Sequence, residues 1–562
     1  MTTRRIIPHA PQANFASYVL AAGEVVIDET SGLLYVGDGV TPGGNRSTSK
    51  WPRFDVRDVN GIDINGNNSS TAALQTAINL AAAEGVALFI PTGKIVCDAP
   101  IMINKAVSLI GDTTAVGRAI AGYSSDVIGP ASRIHFAHSG QGIVMSGDGA
   151  TFDGVLMRDL MFSRDQPAIP TSGTWQPSDH DYDLVMSGMA GLNLQNIIGL
   201  NPSRFVNMLG GGAIGRLFTD NVIAQPLITG VNVELAADVV RMSNTHFWPV
   251  WKDDPKVLEW TVNNCDHVWL KRCDTPMFTN FFSIAARSAF RIGKNASGTT
   301  AKMKVSNYDI DYSKYCIWFD STALNSWARF SNGTLQANNS NGSLSNIPIS
   351  PIRQNLKMDG ISCTATFDGL EISGASGTAM DLGGDSVNNY VEVAGDFWVQ
   401  NYGEAVGNTD PCIKVGVGST FIRHGYVRNT ALAAGDLIGG SGRIVGIRKR
   451  YGAGVTPQTG AYTVATLVDA EYIEDGYVVT GSVNVAINNA AGGSGYVDIS
   501  LPTEIDITYT MAASDVTDGT TFTVRNMPGD PGIARVARVG GGNVAITGHT
   551  INLTFTYARR GI

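Results

Sequence analysis

The densest group of aromatic and acidic side chains in the sequence lies in residues 245–274. Aromatic faces stack on the apolar faces of sugar rings, and carboxylates accept hydrogen bonds from sugar hydroxyls. The segment therefore predicts a groove that binds a glycan, with sugar-binding residues Trp248, Trp251, Trp260 and His246. Pro249 predicts a loop that exposes the tryptophans on either side of it. The alternative is that a given tryptophan fills the core or a subunit interface, and that His246 is structural.

Carboxylates near this segment are of the type that glycoside hydrolysis requires. Two carboxyl groups about 5–5.5 Å apart retain the configuration of the sugar, and groups about 6.5–9.5 Å apart invert it. In a β-solenoid, neighbouring coils lie ~4.8 Å apart, so matching positions on adjacent coils bring carboxylates together. We predict Glu234 as the general acid, with Asp253 or Asp254 as the base or nucleophile. The alternative is that these charges only keep the surface soluble.

A second polar cluster, in residues 179–183, contains Asp179, His180, Asp181, Tyr182 and Asp183. Tyr182 and Asp181 are further predicted substrate-binding residues. Tyr182 as a base and His180 as an acid also offer a different reaction, the elimination that a polysaccharide lyase performs on a uronic sugar. Hydrolase and lyase chemistry therefore both remain open.

Recurring asparagines indicate the architecture that positions these residues. Short alternating strands bend at Asn or Asp about every 20 to 25 residues, a spacing that suits coils of three short strands. Stacked asparagines tolerate left-handed backbone geometry and form ladders of side-chain amides. The pattern predicts a β-solenoid over residues 112–446 without further helices, and with insertions at 166–186 and 249–258. The bends are at Asn196, Asn221, Asn244, Asn264, Asn307 and Asn332, with Asn280 between two of them.

One amphipathic helix precedes the repeats. Residues 68–70 offer cap oxygens to a helix that begins near Thr71, and Gly85 offers a left-handed stop. The apolar face comprises Leu74, Ala77, Ile78, Ala81 and Ala82. An open solenoid end exposes strand edges and apolar side chains, so we expect this helix to cover it.

Residues 54–103 resemble the N-terminal cap of the pectate-lyase-like superfamily. The resemblance rests on a strand near Val56, on Asp63 and Asn65 before the helix, on residues 73–75 and on the Ile-Pro-Thr-Gly run 90–93. It departs from the commonest form at residues 65–68, where Asn-Gly-Asn-Asn replaces an Asp-rich turn. The resemblance implies an all-β chain built on a right-handed parallel β-helix with a short N-terminal capping helix.

Both ends of the chain resemble parts of phage proteins. Residues 20–45 predict a hairpin with strands at 24–28 and 33–36, followed by Gly-Asp-Gly at 37–39, as in the N-terminal module of phage receptor-binding proteins. That module implies trimerisation or docking to the virion. Residues 451–562 predict a β-sandwich, and the runs 460–463 and 500–502 are similar to C-terminal domains of phage tail fibres and spikes.

Composition excludes several classes of function. Only 16% of residues are charged and the net charge is −9, which argues against a nucleic-acid partner. No apolar run reaches the ~18 residues of a membrane span, and no export signal is evident. The six cysteines show no ligand spacing, so we expect buried thiols, no metal and no cofactor.

These observations predict three regions: an N-terminal knob (1–52), a capped parallel β-helix (53–448) and a C-terminal β-sandwich for trimerisation or glycan binding (449–562). They resemble a phage tailspike made in the host cytoplasm and carried on the virion. Its expected partners are two further copies of the chain, a phage tail or baseplate protein at the N-terminal domain, and a bacterial surface polysaccharide that it binds or depolymerises. The alternatives are a binding-only adhesin or structural fibre component, and a cellular pectate-lyase-like enzyme.

Overall fold

The structure is a computed structural model of the 562-residue chain. It divides into two compact units, Met1–Met303 with Ser343–Ile349, and Lys304–Gly342 with Ser350–Ile562. The residues it describes are 9–29, 34–46, 53–112, 131–147, 154–210, 215–337, 353–384, 387–400, 402, 410–424, 427–429, 438–445, 447–450, 455–457, 462–475, 478–490, 496–500, 505–517, 520–527, 530–538 and 550–559.

The N-terminal hairpin is present as predicted. Its strands are β1 (His9–Ala10), β2 (Val25–Asp28), β3 (Leu34–Val36) and β4 (Asn45–Arg46), with the short helix α1 (Gln12–Phe15). Strands β2 and β3 pair antiparallel, and the predicted turn between them, 30–32, lies outside the described residues. Asp38 accepts hydrogen bonds from Thr41, Val40 and Asn45, which lower its pKa and fix the Gly-Asp-Gly turn.

Helix α2 (Thr71–Glu84) also follows the prediction, and it ends at Gly85 with φ 67°. Ser70 makes no capping hydrogen bond, because its hydroxyl instead accepts one from the backbone of Asp63. The Gln75 side chain donates to and accepts from the backbone of Met102, with both hydrogen bonds at 2.7 Å. Met102 lies in the edge strand of its sheet, so the helix supplies the partner that the strand edge lacks.

The first unit contains two parallel sheets. The first sheet comprises β5 (Arg53–Asp55), which leads into a 3-10 turn (Val56–Asp58), β6 (Ala87–Ile90), β7 (Gly93–Cys97), β9 (Val107–Gly111), β10 (Ser132–Phe136), β12 (Gly154–Arg164), β14 (Gly191–Gly199), β16 (Arg216–Ala224), β18 (Val240–Phe247) and β20 (Met277–Ile284). The second comprises β8 (Ile101–Ile103), β11 (Ile143–Ser146), β13 (Tyr182–Ser187), β15 (Arg204–Gly210), β17 (Thr229–Val233), β19 (Asp266–Leu270) and β21 (Ser288–Ile292). A small hairpin, β22 (Lys294–Asn295) and β23 (Gly298–Thr299), follows.

The predicted asparagine ladder is present in this unit. Asn196, Asn221, Asn244 and Asn280 all have φ between 51° and 54°. The Asn221 amide donates to Asn196 Oδ1 at 2.9 Å, and the Asn280 amide donates to Asn244 Oδ1 at the same distance. The ladder therefore fixes the corner between successive strand segments, and its asparagines are structural.

The prediction of no helix beyond residue 112 is wrong. Helix α3 (Pro255–Asn264) begins inside the insertion predicted at 249–258 and continues beyond it, with Pro255 as its first residue. Asn264 ends this helix and is not among the left-handed residues, so its assignment as a ladder position is also wrong. Asn280 takes the ladder position instead.

The second unit contains two further groups of parallel strands. The first group is β24 (Met303–Asp311), β26 (Trp327–Gln336), β28 (Thr364–Ser373), β30 (Tyr390–Val399), β32 (Thr420–Arg423), β33 (Val427–Asn429) and β35 (Arg443–Val445). The second is β25 (Tyr315–Phe319), β27 (Gln354–Met358), β29 (Met380–Asp381), β31 (Ile413–Val415) and β34 (Ile438–Gly440). In both units, neighbouring strands are one coil apart in the sequence, which confirms the predicted parallel β-helix.

The C-terminal strands of this unit pair antiparallel in one nine-stranded sheet. They are β36 (Ile447–Arg450), β37 (Val455–Pro457), β38 (Tyr462–Asp475), β39 (Val478–Ala490), β40 (Tyr496–Ser500), β41 (Ile505–Asp515), β42 (Thr521–Met527), β43 (Asp530–Arg538) and β44 (Thr550–Arg559). The change from parallel to antiparallel pairing falls near the predicted boundary at 448. The β-sandwich itself and the three domain boundaries stay predictions.

All six cysteines are buried thiols. Among the described residues, no cluster of His, Cys, Asp or Glu is arranged to hold a metal ion. The same part of the chain contains no helix with the length and apolar character needed to span a membrane.

Candidate functional site

The predicted acid, Glu234, is held by cations and amides. Lys271 forms an ion pair with its carboxylate, and Asn232 donates to it at 2.8 Å. Burial raises the pKa of Glu234, but the hydrogen bonds from Lys271 and Asn232 outweigh burial and leave the pKa below its ordinary value. A general acid must carry a proton, so this environment does not favour that role.

The predicted partners of Glu234 lie at the start of α3. Asp254 is the N-cap, and its carboxylate accepts a hydrogen bond from the Lys256 backbone at 2.9 Å. Burial and the charge of Asp254 raise the pKa of Asp253. No hydrogen bond or ion pair among the described residues joins Glu234 to either aspartate. The assignment of these three residues to catalysis stays a prediction.

Two of the predicted sugar-binding tryptophans are engaged in packing. The Trp251 ring lies 6.0 Å from the Trp175 ring and contacts a buried cluster that includes Met161 and Leu200. The Trp260 indole donates to the Leu227 carbonyl at 2.9 Å. Trp251 is only partly exposed, because it packs against Trp175 and that buried cluster, and its role in sugar binding stays a prediction.

Trp248 and His246 form a partly exposed aromatic row with Phe282. The His246 ring lies 5.2 Å from the Trp248 ring and 4.4 Å from the Phe282 ring. Burial lowers the pKa of His246, so its imidazole is neutral near pH 7. A neutral aromatic row can stack on sugar rings, and no local sequence pattern indicates that Phe282 belongs to it.

The second predicted cluster is also largely structural. Asp183 and Arg164 form a fully buried ion pair at 2.7 Å, and burial raises the pKa of Asp183 to about 6 despite the guanidinium. Burial raises the pKa of Tyr182 to about 12, which opposes its use as a base. The Asp181 carboxylate accepts a hydrogen bond from the Tyr182 backbone, and His180 Nε2 lies 2.8 Å from the Asp165 carbonyl.

A carboxyl cluster that the sequence did not reveal lies in the second unit. Asp309 and Asp311 are alternate residues of β24, so their side chains share one strand face while Tyr308 and Ile310 are buried on the other. Glu371 lies on β28, two strands from β24 in the sheet order β24-β26-β28-β30.

Neutral side chains surround these carboxyl groups. Thr334 is the register partner of Glu371 on one side, and Trp398 is its partner on the other. The Gln400 amide donates to Glu371 Oε1 at 2.6 Å, and Gln336 donates a hydrogen bond to Asp309. The amides therefore orient two of the three carboxyl groups.

Burial raises the pKa of every carboxyl group in this cluster, and the charge of Asp309 raises the pKa of the other two further. Burial raises the pKa of Asp311 to about 7, and the neighbouring charge of Asp309 acts in the same direction. Burial also raises the pKa of Asp309, against the hydrogen bonds from Asp311 and Gln336. For Glu371, burial and then the charge of Asp309 raise the pKa.

One oxygen each of Asp309 and Asp311, Oδ1 in both residues, is buried without a hydrogen-bond partner. Leaving a buried polar atom unpaired costs free energy, and a ligand hydroxyl can satisfy it. Asp309 follows the left-handed Asn307 by two residues. The Asp-x-Asp run at this point of a coil was the available sequence signal.

Two family models match the chain. The Major tropism determinant N-terminal domain matches residues 12–41, and the pectate-lyase-like family of Rhamnogalacturonase A and epimerase matches residues 54–146. These matches confirm the resemblances of the N-terminal hairpin and of the cap segment. Both lie within the first 146 residues.

Several solved structures are similar to this chain. The Dettilon tailspike protein shares 12% identity at a TM-score of 0.38 and covers 90% of this chain and 94% of its own. A tailspike mutant of E. coli bacteriophage HK620, in complex with a pentasaccharide, shares 11% identity at a TM-score of 0.40, with coverage of 91% and 94%. The Pseudomonas phage phi297 tailspike shares 10% identity at a TM-score of 0.38, with coverage of 91% and 99%. No curated protein sequence matches the chain.

Proposed function

We propose that this chain is a phage tailspike that binds a bacterial surface polysaccharide and hydrolyses its glycosidic bonds with Asp309, Asp311 and Glu371. The observation that carries the proposal is the cluster itself: three carboxyl groups on one sheet, of which Asp311 has a pKa of about 7. Glycoside hydrolysis needs one protonated and one ionised carboxyl group at the same pH. An acid with a pKa near 7 fulfils the first requirement.

Asp311 is the proposed general acid, because its raised pKa keeps a proton available for the leaving oxygen. Glu371 is the proposed base, oriented by the hydrogen bond from Gln400. Asp309 is proposed to act through the other two groups, because its negative charge raises the pKa of Asp311 and of Glu371. Two strand spacings of ~4.8 Å separate β24 from β28 at the backbone, about 9–10 Å, which is nearer to the carboxyl separation of about 6.5–9.5 Å in inverting enzymes than to the about 5–5.5 Å in retaining enzymes. We therefore propose inversion of configuration.

The N-terminal hairpin is the proposed attachment to the phage tail or baseplate, and the assembly is proposed to be a homotrimer on the virion. Support comes from the matched N-terminal domain of the major tropism determinant, at residues 12–41. Sedimentation of the purified protein tests the assembly. We expect three times the chain mass of 59.4 kDa, and a monomer would contradict the trimer.

A binding-only adhesin is the second candidate. The aromatic row of His246, Trp248 and Phe282 favours it, because stacking surfaces bind sugars without cleaving them. The lyase alternative has weaker support, since the pKa of about 12 leaves Tyr182 protonated at neutral pH.

The test is digestion of purified bacterial capsules and lipopolysaccharide O-chains, followed by reducing-end assay and by ultraviolet absorbance of unsaturated uronates. We expect new reducing ends without absorbance, an inverted anomer by NMR immediately after cleavage, and loss of fragments with Asp311→Asn. Binding without fragments from any bound glycan would favour the adhesin. A gain in absorbance would favour the lyase.

A further inference from the structure

We infer that the Asp309–Asp311–Glu371 site takes a neutral stretch of glycan, and that it rejects sugars carrying a carboxylate or phosphate next to the bond that is cut. This inference rests on the proposed function and specifies its substrate class. The reasons are the kind of groups that surround the carboxyl cluster and the distribution of charge along the strands that form it.

Among the residues that the structure describes, the cluster has no cationic partner. Burial, other carboxyl groups and neutral amides are the causes that shift the pKa values of its three members, and no lysine or arginine is among those causes. Within the described chain, none of the three carboxylates forms an ion pair, whereas Glu234 and Asp183 each do. A ligand anion placed here would meet negative charge without compensation.

The sequence around the site extends this acidic character. Residues 364–413, which contain β28 and β30, include no lysine or arginine but eight aspartates and glutamates. Residues 330–352, which contain the end of β26 and the segment after it, include no charged residue at all. The cations of the neighbouring strands, Lys304 on β24 and Arg329 on β26, precede the left-handed corners Asn307 and Asn332, whereas the strand segments after those corners contain no lysine or arginine. These segments offer hydroxyl, amide and aromatic groups beside the carboxyl groups, which suit neutral sugars.

An anionic sugar would also disturb the chemistry. A further negative charge beside Glu371 and Asp309 would favour protonation of the base, which must stay ionised to activate water. Elimination from a uronate needs a positive group to stabilise the developing charge, and the cluster offers none within the described residues. Repulsion and chemistry therefore both select a neutral substrate.

A matched pair of polymers tests the inference. A polysaccharide that the full-length protein cleaves is divided, and the primary hydroxyls of one half are partly oxidised to carboxylates. We expect cleavage of the oxidised half to be slower by about tenfold or more at low salt, and the deficit to shrink as added salt screens the charges. Cleavage of the neutral half should change little with salt, which separates charge repulsion from a steric effect of oxidation.

A substitution sharpens the same test. Thr334 is the register partner of Glu371, so Thr334→Lys places a cation beside that carboxylate. We expect this variant to raise severalfold the cleavage rate of the oxidised half relative to that of the neutral half. Equal rates for both halves in the unmodified protein would overturn the inference whatever this variant does.

Natural polysaccharides provide a second test of the neutral substrate class. The proposed neutral class is wrong if a polymer with an anionic sugar at the cut bond is cleaved and Asp311→Asn abolishes that cleavage, although the hydrolase itself would then stand. If no polymer in the panel yields fragments, the hydrolase proposal fails and this inference fails with it.

Discussion

The two units use the same local backbone for different purposes. In the first unit, the second residues after the left-handed Asn244 and Asn280 are His246 and Phe282, and these rings contact each other. In the second unit, the second residue after Asn307 is Asp309, and a carboxyl cluster results. The corner therefore sets where a side chain is presented, while the residue type at that point decides whether it binds an apolar sugar face or transfers a proton.

The units also differ in how this strand face is covered. Trp251 and Trp175 from two insertions pack over the strands of the first unit. Asp309 and Asp311 are partly buried, and each keeps one buried oxygen without a hydrogen-bond partner. A face closed by tryptophans is stable but inert, whereas buried unpaired carboxyl oxygens are costly unless a ligand uses them.

The largest expected effect separates catalysis from structure in the second unit. Glu371→Gln should lower the rate of fragment release about a thousandfold, because the base is lost, while glycan binding persists. The matched control is Glu392→Gln on β30, where Tyr390 and His424 hold the carboxylate. The measurement is the initial rate of reducing-end release for each variant. Equal losses of rate in Glu371→Gln and Glu392→Gln would contradict the assignment of Glu371 as the base.

The second effect concerns stability in the first unit. Trp251→Ala should lower the free energy of unfolding by about 3 kcal/mol, since it opens a cavity against Met161 and Leu200. The rate of hydrolysis at a temperature where the variant is folded should stay within about twofold. Trp248→Ala is the counterpart: we expect weaker glycan binding with little change in urea denaturation. If Trp251→Ala instead weakened glycan binding and left stability unchanged, Trp251 would be a sugar-binding residue.

The pH profile tests the charge coupling that only the second unit shows. The general acid must be protonated, so activity should fall as pH rises through the Asp311 pKa of about 7, by about tenfold between pH ~6 and pH ~8. Asp309→Asn removes the neighbouring negative charge and lowers the pKa of Asp311. The falling limb should then move to lower pH, and an unmoved limb would show that Asp311 titrates independently of Asp309.

Local geometry made part of this molecule predictable from its sequence. Left-handed corners select asparagine, so the recurrence of Asn196, Asn221 and Asn244 was sufficient to predict a ladder of coils. Helix α2 was predictable because its apolar spacing and Gly85 are local signals. Asp254 and Pro255 are a local start signal for α3, although the irregular sequence around them predicts an insertion without a helix.

The carboxyl cluster depended on information that no local pattern contains. Asn332 and Gly369 take equivalent corners on neighbouring coils, although the coil between them is much longer than the usual one. Without that register, Glu371 cannot be assigned to the neighbourhood of Asp309. Proximity in sequence favoured Glu234 and the tryptophan-rich segment instead. The ion pair with Lys271 and the packing of Trp251 against Met161 and Leu200 are visible only in three dimensions.

The smallest expected effect decides whether the first unit contributes to catalysis at all. Glu234→Gln removes the charge that pairs with Lys271, while Asn232 can still donate to the remaining oxygen. A partly exposed ion pair of this kind contributes about 0–1 kcal/mol, so the unfolding midpoint should move little. The rate should stay within about twofold, because hydrogen bonds from Lys271 and Asn232 hold the pKa of Glu234 below its ordinary value, which does not favour a general acid. Loss of activity comparable to that of Glu371→Gln would place the acid in the first unit and reverse the comparison of the two faces.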